Sequence, residues 1–250
     1  MSLERISIMK PSPWLGEHLH RYKECLNYVH NYDVILDLAC GSGYGVNLIS
    51  SINDTKIFGG DIDESTISQC IIDWKPQSNI FFEVMDATKL RFNDSFFNLI
   101  ISLETIEHLM LYDEMLSEFY RVLVKGGIAI ISTPNRNVSS PDGIIRNPYH
   151  TQEFTYDEFA NVLSKYFSSI KIFGQKNIRY YNKKIFSVKF YFEKLLLMKG
   201  IRKINYRLRN FIFKKLFKDE LYASEKDFIL ETDITQIKTK CNVLFAVCYK

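Results

Sequence analysis

The chain has 250 residues, of which 46% are hydrophobic and 24% charged, proportions that exclude a disordered or fibrous protein and leave room for one sizeable α/β core with an insertion. Its formal net charge of +3 is too small to imply nucleic-acid binding by itself. Cys25, Cys40, Cys70, Cys241 and Cys248 are an odd number with no C-x-x-C pair, which speaks against a zinc or disulfide framework and for a reduced, cytoplasmic setting.

The first residues carry no apolar h-region, and no run reaches the roughly 18 apolar residues of a membrane span. The late apolar segment from Ile185 to Met198 is broken by Lys189, Glu193 and Lys194. Residues 1–33 read as a helical cap in which Leu19, Tyr22 and Leu26 can share one face. From Val34 to about Gly174, short β-rich runs alternate with helical spacing, which predicts a doubly wound, mostly parallel sheet. The expected strands are Val34–Leu38, Lys56–Asp61, Ile80–Met85, Phe97–Ser102, Ile128–Thr133 and Ser169–Phe173, with a final one at Asn242–Tyr249. Between them, Asp113–Val122 reads as a helix ended by Gly126-Gly127. Thr155–Tyr166 reads as another, opened by a capping box of Thr155 and Glu158. Residues 175–240, rich in Lys, Arg, Phe and Tyr, read as a helical insertion, and 241–250 as the last strand.

The first strand enters Asp37-Leu38-Ala39-Cys40-Gly41-Ser42-Gly43-Tyr44-Gly45, and helical spacing resumes at Val46, Leu48 and Ile49. Strand, tight turn and helix form a nucleotide-site geometry, in which glycine lets the backbone turn sharply and approach a ligand closely. Taken alone, this is also an ordinary strand-to-helix connection or a nicotinamide dinucleotide site. Here the sequence resembles the class I S-adenosylmethionine (SAM) dependent methyltransferases. Asp37, Ala39, Gly41 and Gly43 match their motif, with Ala39 in place of the usual first glycine.

That resemblance implies a Rossmann-like sheet of seven strands, the last one antiparallel, and SAM as cofactor. Asp61, with Ile62 beside it, ends the second strand, where an acid can accept hydrogen bonds from both ribose hydroxyls. The family pattern puts Asp86 on the adenine amino group and the Ala87 backbone on the ring, with Leu103 at the end of the fourth strand completing the pocket. Glu17-His18-Leu19-His20-Arg21-Tyr22 resembles the segment that closes over the methionine end of SAM in methyltransferases of bacterial polysaccharide gene clusters. Arg21 and Tyr22 become candidate carboxylate contacts.

On the acceptor side, Glu104, Glu107 and His108 follow the fourth strand at once and would share a face in a helical turn. His150, in Asn147-Pro148-Tyr149-His150, should lie above the neighbouring strand. Oxygen donors with imidazole suit Mg²⁺ or Mn²⁺, and the set resembles the metal ligands of small-RNA 3′-end 2′-O-methyltransferases. A cation would lower the pKa of an acceptor hydroxyl. Glu107, His108 and His150 are the expected catalytic groups, with His150 also able to act as general base without metal. Surface glutamates facing water are the bland alternative.

The run from Ser132 to Phe154 again resembles methyltransferases of capsule and lipopolysaccharide clusters, so the expected acceptor is a sugar hydroxyl, on a nucleotide-sugar or a glycan. Alternatives are a small-molecule N-methyltransferase, an RNA 2′-O-methyltransferase, for which no accessory RNA domain is recognisable, and a non-catalytic SAM-binding subunit. In the insertion, Lys183, Lys184, Lys189, Lys199, Arg202, Lys203, Arg207, Arg209, Lys214 and Lys215 can face a nucleotide-sugar diphosphate, peripheral membrane lipid, a partner or simply water.

Overall fold

The computed structural model describes residues 11–30, 33–52, 55–74, 78–179, 188–198, 201 and 204–250. Lys183, Lys184, Lys199, Arg202 and Lys203 of the basic stretch lie outside them. Among the described residues eight strands form one sheet: β1 (Val34–Leu38), β2 (Lys56–Asp61), β3 (Ile80–Val84), β4 (Phe97–Leu103), β5 (Leu123–Pro134), β6 (Ser169–Asn177), β7 (Phe228–Glu231) and β8 (Val243–Tyr249). Their order is β3-β2-β1-β4-β5-β8-β6-β7. Strands β1 to β5 pair in parallel, while β8 runs antiparallel to both β5 and β6. The reversed last strand therefore matches the expectation.

The count of seven does not: β7 lies inside the stretch read as wholly helical. It is only four residues long, without the alternation that marks a longer half-buried strand. β6 also continues to Asn177, past the expected end at Phe173.

The helices are α1 (Leu15–Cys25), α2 (Tyr44–Ser50), α3 (Glu64–Asp73), α4 (Tyr112–Val122), α5 (Arg136–Ser139), α6 (Tyr156–Ser164), α7 (Val188–Leu197), α8 (Tyr206–Phe217) and α9 (Ile234–Lys240). α4 buries Met115, Leu116, Phe119 and Val122, one apolar stripe at helical spacing. It stops at Val122, before the glycine pair thought to end it, because β5 already begins at Leu123. Gly126, at φ 77°, instead lets β5 pass an irregularity opposite Phe97 and Leu99. α6 has the expected capping box between Thr155 and Glu158.

The fold separates into two compact units. The first contains Arg21–Lys176 and Leu230–Lys250; the second includes Asn177–Ile229 and the segment up to His20. The first unit's core joins Leu36, Ile100 and Ile131 of the sheet to Phe119 of α4 and Phe159 of α6. The second has its own small core of Leu196, Phe213 and Leu221. All five cysteines are buried free thiols. Among the described residues, no helix is long and apolar enough to cross a membrane.

Candidate cofactor and acceptor site

The turn after β1 is left-handed at three alternate residues: Ala39 at φ 61°, Gly41 at 54° and Gly43 at 73°. A Cβ built on Gly41 would meet nothing within 4 Å, whereas one on Gly43 would strike the Trp74 and Phe82 rings. Gly41 therefore faces open space, and Gly43 is required by packing as well as by φ. The Trp74 indole donates to the Ser42 carbonyl at 2.7 Å and steadies the turn. Gly45 leaves room for the Tyr22 ring, which a Cβ would approach to 2.1 Å.

Asp61 is buried at the end of β2. Its Oδ2 accepts from the Gly41 amide at 3.2 Å and its Oδ1 from the Asp63 amide at 3.0 Å, so the glycine turn and the β2 end are tied together. Asp63 caps α3 through the Ser65 amide. Ile62, beside Asp61, is 67% exposed, an apolar side chain on the same open edge as Ala39 and Gly41. Asp86 holds its own turn, accepting from the Thr88 amide and hydroxyl at 2.9 and 2.7 Å. Those bonds keep its carboxyl below the usual range. Ala87 is half-buried and Leu103 buried.

Asp37 is fully buried, and the Tyr22 hydroxyl lies 3.0 and 3.2 Å from its two oxygens. Burial pushes the Asp37 carboxyl up to about 7, against the Tyr22 hydrogen bond that favours its charge. Burial likewise pushes the Tyr22 phenol well above its ordinary range. Arg21, also fully buried, donates to Gln175 Oε1 at 2.5 Å.

On the acceptor side, Glu107, His108 and His150 each offer one ligand atom within 4.8 Å of the others. Glu104 is not among them. It sits in a left-handed conformation at φ 55°, before the single 3₁₀ turn Ile106–His108, so no continuous helical face carries all three residues. Its Oε1 instead accepts from the Ser132 hydroxyl at 2.7 Å.

Glu107 is wholly buried. Oε2 accepts from Thr133 at 3.0 Å, and Oε1 has no hydrogen-bond partner among the described residues. Burial, followed by the negative charge of Glu104, pushes its carboxyl well above the usual range. His108 has Nδ1 at 2.9 Å from the Tyr149 carbonyl. A carbonyl only accepts, so Nδ1 carries a proton, and Nε2 lies 3.9 Å from Glu107 Oε1.

His150 is set by two groups that sequence reasoning missed. Its Nδ1 lies 2.9 Å from Glu153 Oε1 and its Nε2 2.8 Å from the Asn147 amide nitrogen. Asn147 Oδ1 already accepts from the Tyr149 amide, which fixes the orientation of that side chain. Nδ1 thus donates to Glu153, and Nε2 is the basic nitrogen. Burial opposes the charge on Glu153, but hydrogen bonds from Ser139 and His150 outweigh it and hold the carboxyl below its usual range. The signal in the sequence was the three-residue spacing of Asn147, His150 and Glu153.

Comparison with known proteins follows the same lines. Residues 36–131 match the family model described as a methyltransferase domain. A probable S-adenosylmethionine-dependent methyltransferase of Mycolicibacterium smegmatis is 31% identical over 151 residues, covering 60% of this chain and 57% of that protein. Phosphoethanolamine N-methyltransferase 3 of Arabidopsis thaliana is 31% identical over 110 residues, 43% of this chain and 22% of that protein. The chain thus spans little more than half of the first relative and less of the second. A SAM-dependent methyltransferase structure from Archaeoglobus fulgidus superposes with a TM-score of 0.61 at 18% identity, covering 94% of each chain, which is likeness of fold. The stretch from β1 through most of β5 thus matches a methyltransferase domain, and it is similar to SAM-dependent methyltransferases over little more than half of their length.

Proposed function

We propose that the protein transfers a methyl group from SAM to a sugar hydroxyl, as a nucleotide-sugar or within a glycan, with a divalent cation such as Mg²⁺ or Mn²⁺ at the acceptor. The observation that carries the acceptor half is the cluster of Glu107, His108 and His150. Gly41, Gly43, Asp61, Ile62, Asp86, Ala87 and Leu103 would hold the nucleoside of SAM, and Asp37, Ala39, Arg21 and Tyr22 its methionine end. The open space over Gly41 and the exposed Ile62 fit such a ligand. When bound, SAM supplies an electrophilic methyl carbon to an acceptor oxygen in line with the breaking bond to sulfur.

The orphaned, buried Glu107 Oε1 fits a cation, as does a donor set of oxygen with imidazole. Glu107, His108 and His150 would hold it, and it would lower the pKa of the acceptor hydroxyl. Glu153 keeps the His150 proton on Nδ1, so Nε2 has the one lone pair: released from the Asn147 amide, it would ligate the cation or, with no cation bound, accept the hydroxyl proton. Ser132 and Thr133 anchor Glu104 and Glu107 from β5 and keep the carboxylates in place.

A second reading is methylation of a small-molecule amine, favoured by the likeness to a phosphoethanolamine N-methyltransferase. A neutral amine, once positioned, needs neither base nor metal. The two separate when methyl-labelled SAM is offered with a panel of nucleotide-sugars and with phosphoethanolamine. Label in a sugar ether supports the proposal; label on the amine nitrogen alone overturns it.

A further inference from the structure

In the second unit, both long helices carry apolar side chains on their outer sides. The inner side of α8 is fixed: Phe213 is fully buried, and Arg209 donates to the Leu196 and Ile204 carbonyls at 2.9 and 3.0 Å. On the opposite side Leu208, Phe211 and Ile212 are 53%, 64% and 38% exposed, and Leu216, in the last turn, is 58% exposed. On α7 and just past its end, Val188, Tyr191, Leu195 and Met198 repeat at helical spacing and are likewise exposed. Isolated exposed apolar residues are ordinary, but two outward stripes at helical spacing in one small unit are not.

The charge around them decides what covers them. Arg207, Lys194, Lys215 and Lys218 are exposed. The nearby acids are already engaged: Glu220 pairs with Lys214, and Asp219 with Lys189 and Arg179. Among the described residues no carboxylate pairs with these four cations, and Lys194 lies over the Phe190 ring at 4.6 Å. Lys215 lies among the apolar residues of α8, where it can lay its methylenes along an apolar layer and lift its ammonium to phosphates. A dry protein contact would leave that charge buried and unpaired, and two copies face to face would oppose like charges.

We propose that the outer faces of α7 and α8 bind a bilayer surface containing anionic phospholipid. The apolar side chains enter the boundary between headgroups and acyl chains, and Arg207, Lys194, Lys215 and Lys218 meet phosphates. At 12 residues, α8 is about 18 Å long, suited to lying in the interface and too short to span it. This inference is independent of which acceptor is methylated.

The test is co-sedimentation of the full chain with vesicles of phosphatidylcholine alone or mixed with phosphatidylglycerol. The mixed vesicles should capture the protein, less so as salt rises, and the neutral ones far less. Lys215→Ser with Lys218→Ser should weaken capture by about tenfold or more. Leu208→Ser with Phe211→Ser should abolish most of it while circular dichroism and SAM affinity stay unchanged. Phe211→Trp should show blue-shifted emission when mixed vesicles are added, a readout that needs no loss of function. No capture by mixed vesicles overturns the proposal, as does capture that these variants leave intact. So does a dimer that Leu208→Ser with Phe211→Ser dissolves while vesicles bind nothing.

Discussion

Asp61 and His150 occupy their positions for different reasons, and substitutions should separate them. Asp61 bonds the Gly41 and Asp63 amides at the edge where a ribose would sit. Asp61→Ala should weaken SAM binding by one to two orders of magnitude, about 1.5–3 kcal/mol. Calorimetric titration checks this, and unchanged affinity would remove Asp61 from the site. His150→Ala should cut turnover by orders of magnitude while SAM affinity stays. EDTA should lower activity and Mn²⁺ restore it, and calorimetric binding of Mn²⁺ should vanish in Glu107→Ala with His108→Ala. Full activity in EDTA would refute the metal role and leave His150 as a plain base. The identities of Asp61 and His150 as candidates were legible because each follows a recognisable local pattern. Glu153 was passed over although it stands three residues from His150, because its importance rests on the 2.9 Å contact between them, which spacing alone does not single out.

At the scale of elements, the strongest local signals produced the elements they suggest. The Thr155 hydroxyl accepts from the Glu158 amide at 3.3 Å, and Glu158 returns the bond to the Thr155 amide at 2.8 Å. Thr155→Ala should therefore cost about 1 kcal/mol of stability, visible as a lower denaturation midpoint with the m-value and SAM affinity unchanged. No change in midpoint would mean that α6 is held by Phe159 and Leu163 in the core without help from its cap. The glycine pair after α4 shows where local reasoning misassigns a signal. Gly126 and Gly127 lie within β5, because pairing with β4 starts at Leu123 and takes the chain from helix to strand at once. β7 escaped notice because four residues carry too little periodicity to outweigh the polar sequence around them.

For the whole molecule, the buried Asp37 sets a pH dependence of stability. Its folded-state pKa is raised to about 7 from an unfolded value near 3.9, so the folded protein binds more protons than the unfolded chain between those values. The stabilising contribution is complete below about pH 4 and is lost as pH rises through about 7, a change of a few kcal/mol. Stability curves measured from pH 4 to 8 should slope downward across that window, and Asp37→Asn should flatten the slope. A slope unaltered in Asp37→Asn would assign it to other groups, with Glu107, whose carboxyl burial also raises, the first to examine.

What the sequence determined by itself is what short spacings encode: the alternation that makes a parallel sheet, the glycine turn after β1, the acid at the end of β2 and the cap of α6. These depend on φ preferences and hydrogen bonds between residues a few positions apart, so neighbouring letters suffice. Tertiary structure alone decided which polar groups meet. Arg21 reaches Gln175 across 154 residues, and Thr133 holds Glu107 because β5 lies beside β4. Of Glu104, Glu107, His108 and His150, only the last three converge. Glu104 is turned toward Ser132 by a left-handed backbone at the strand end, a conformation that its residue type does not announce.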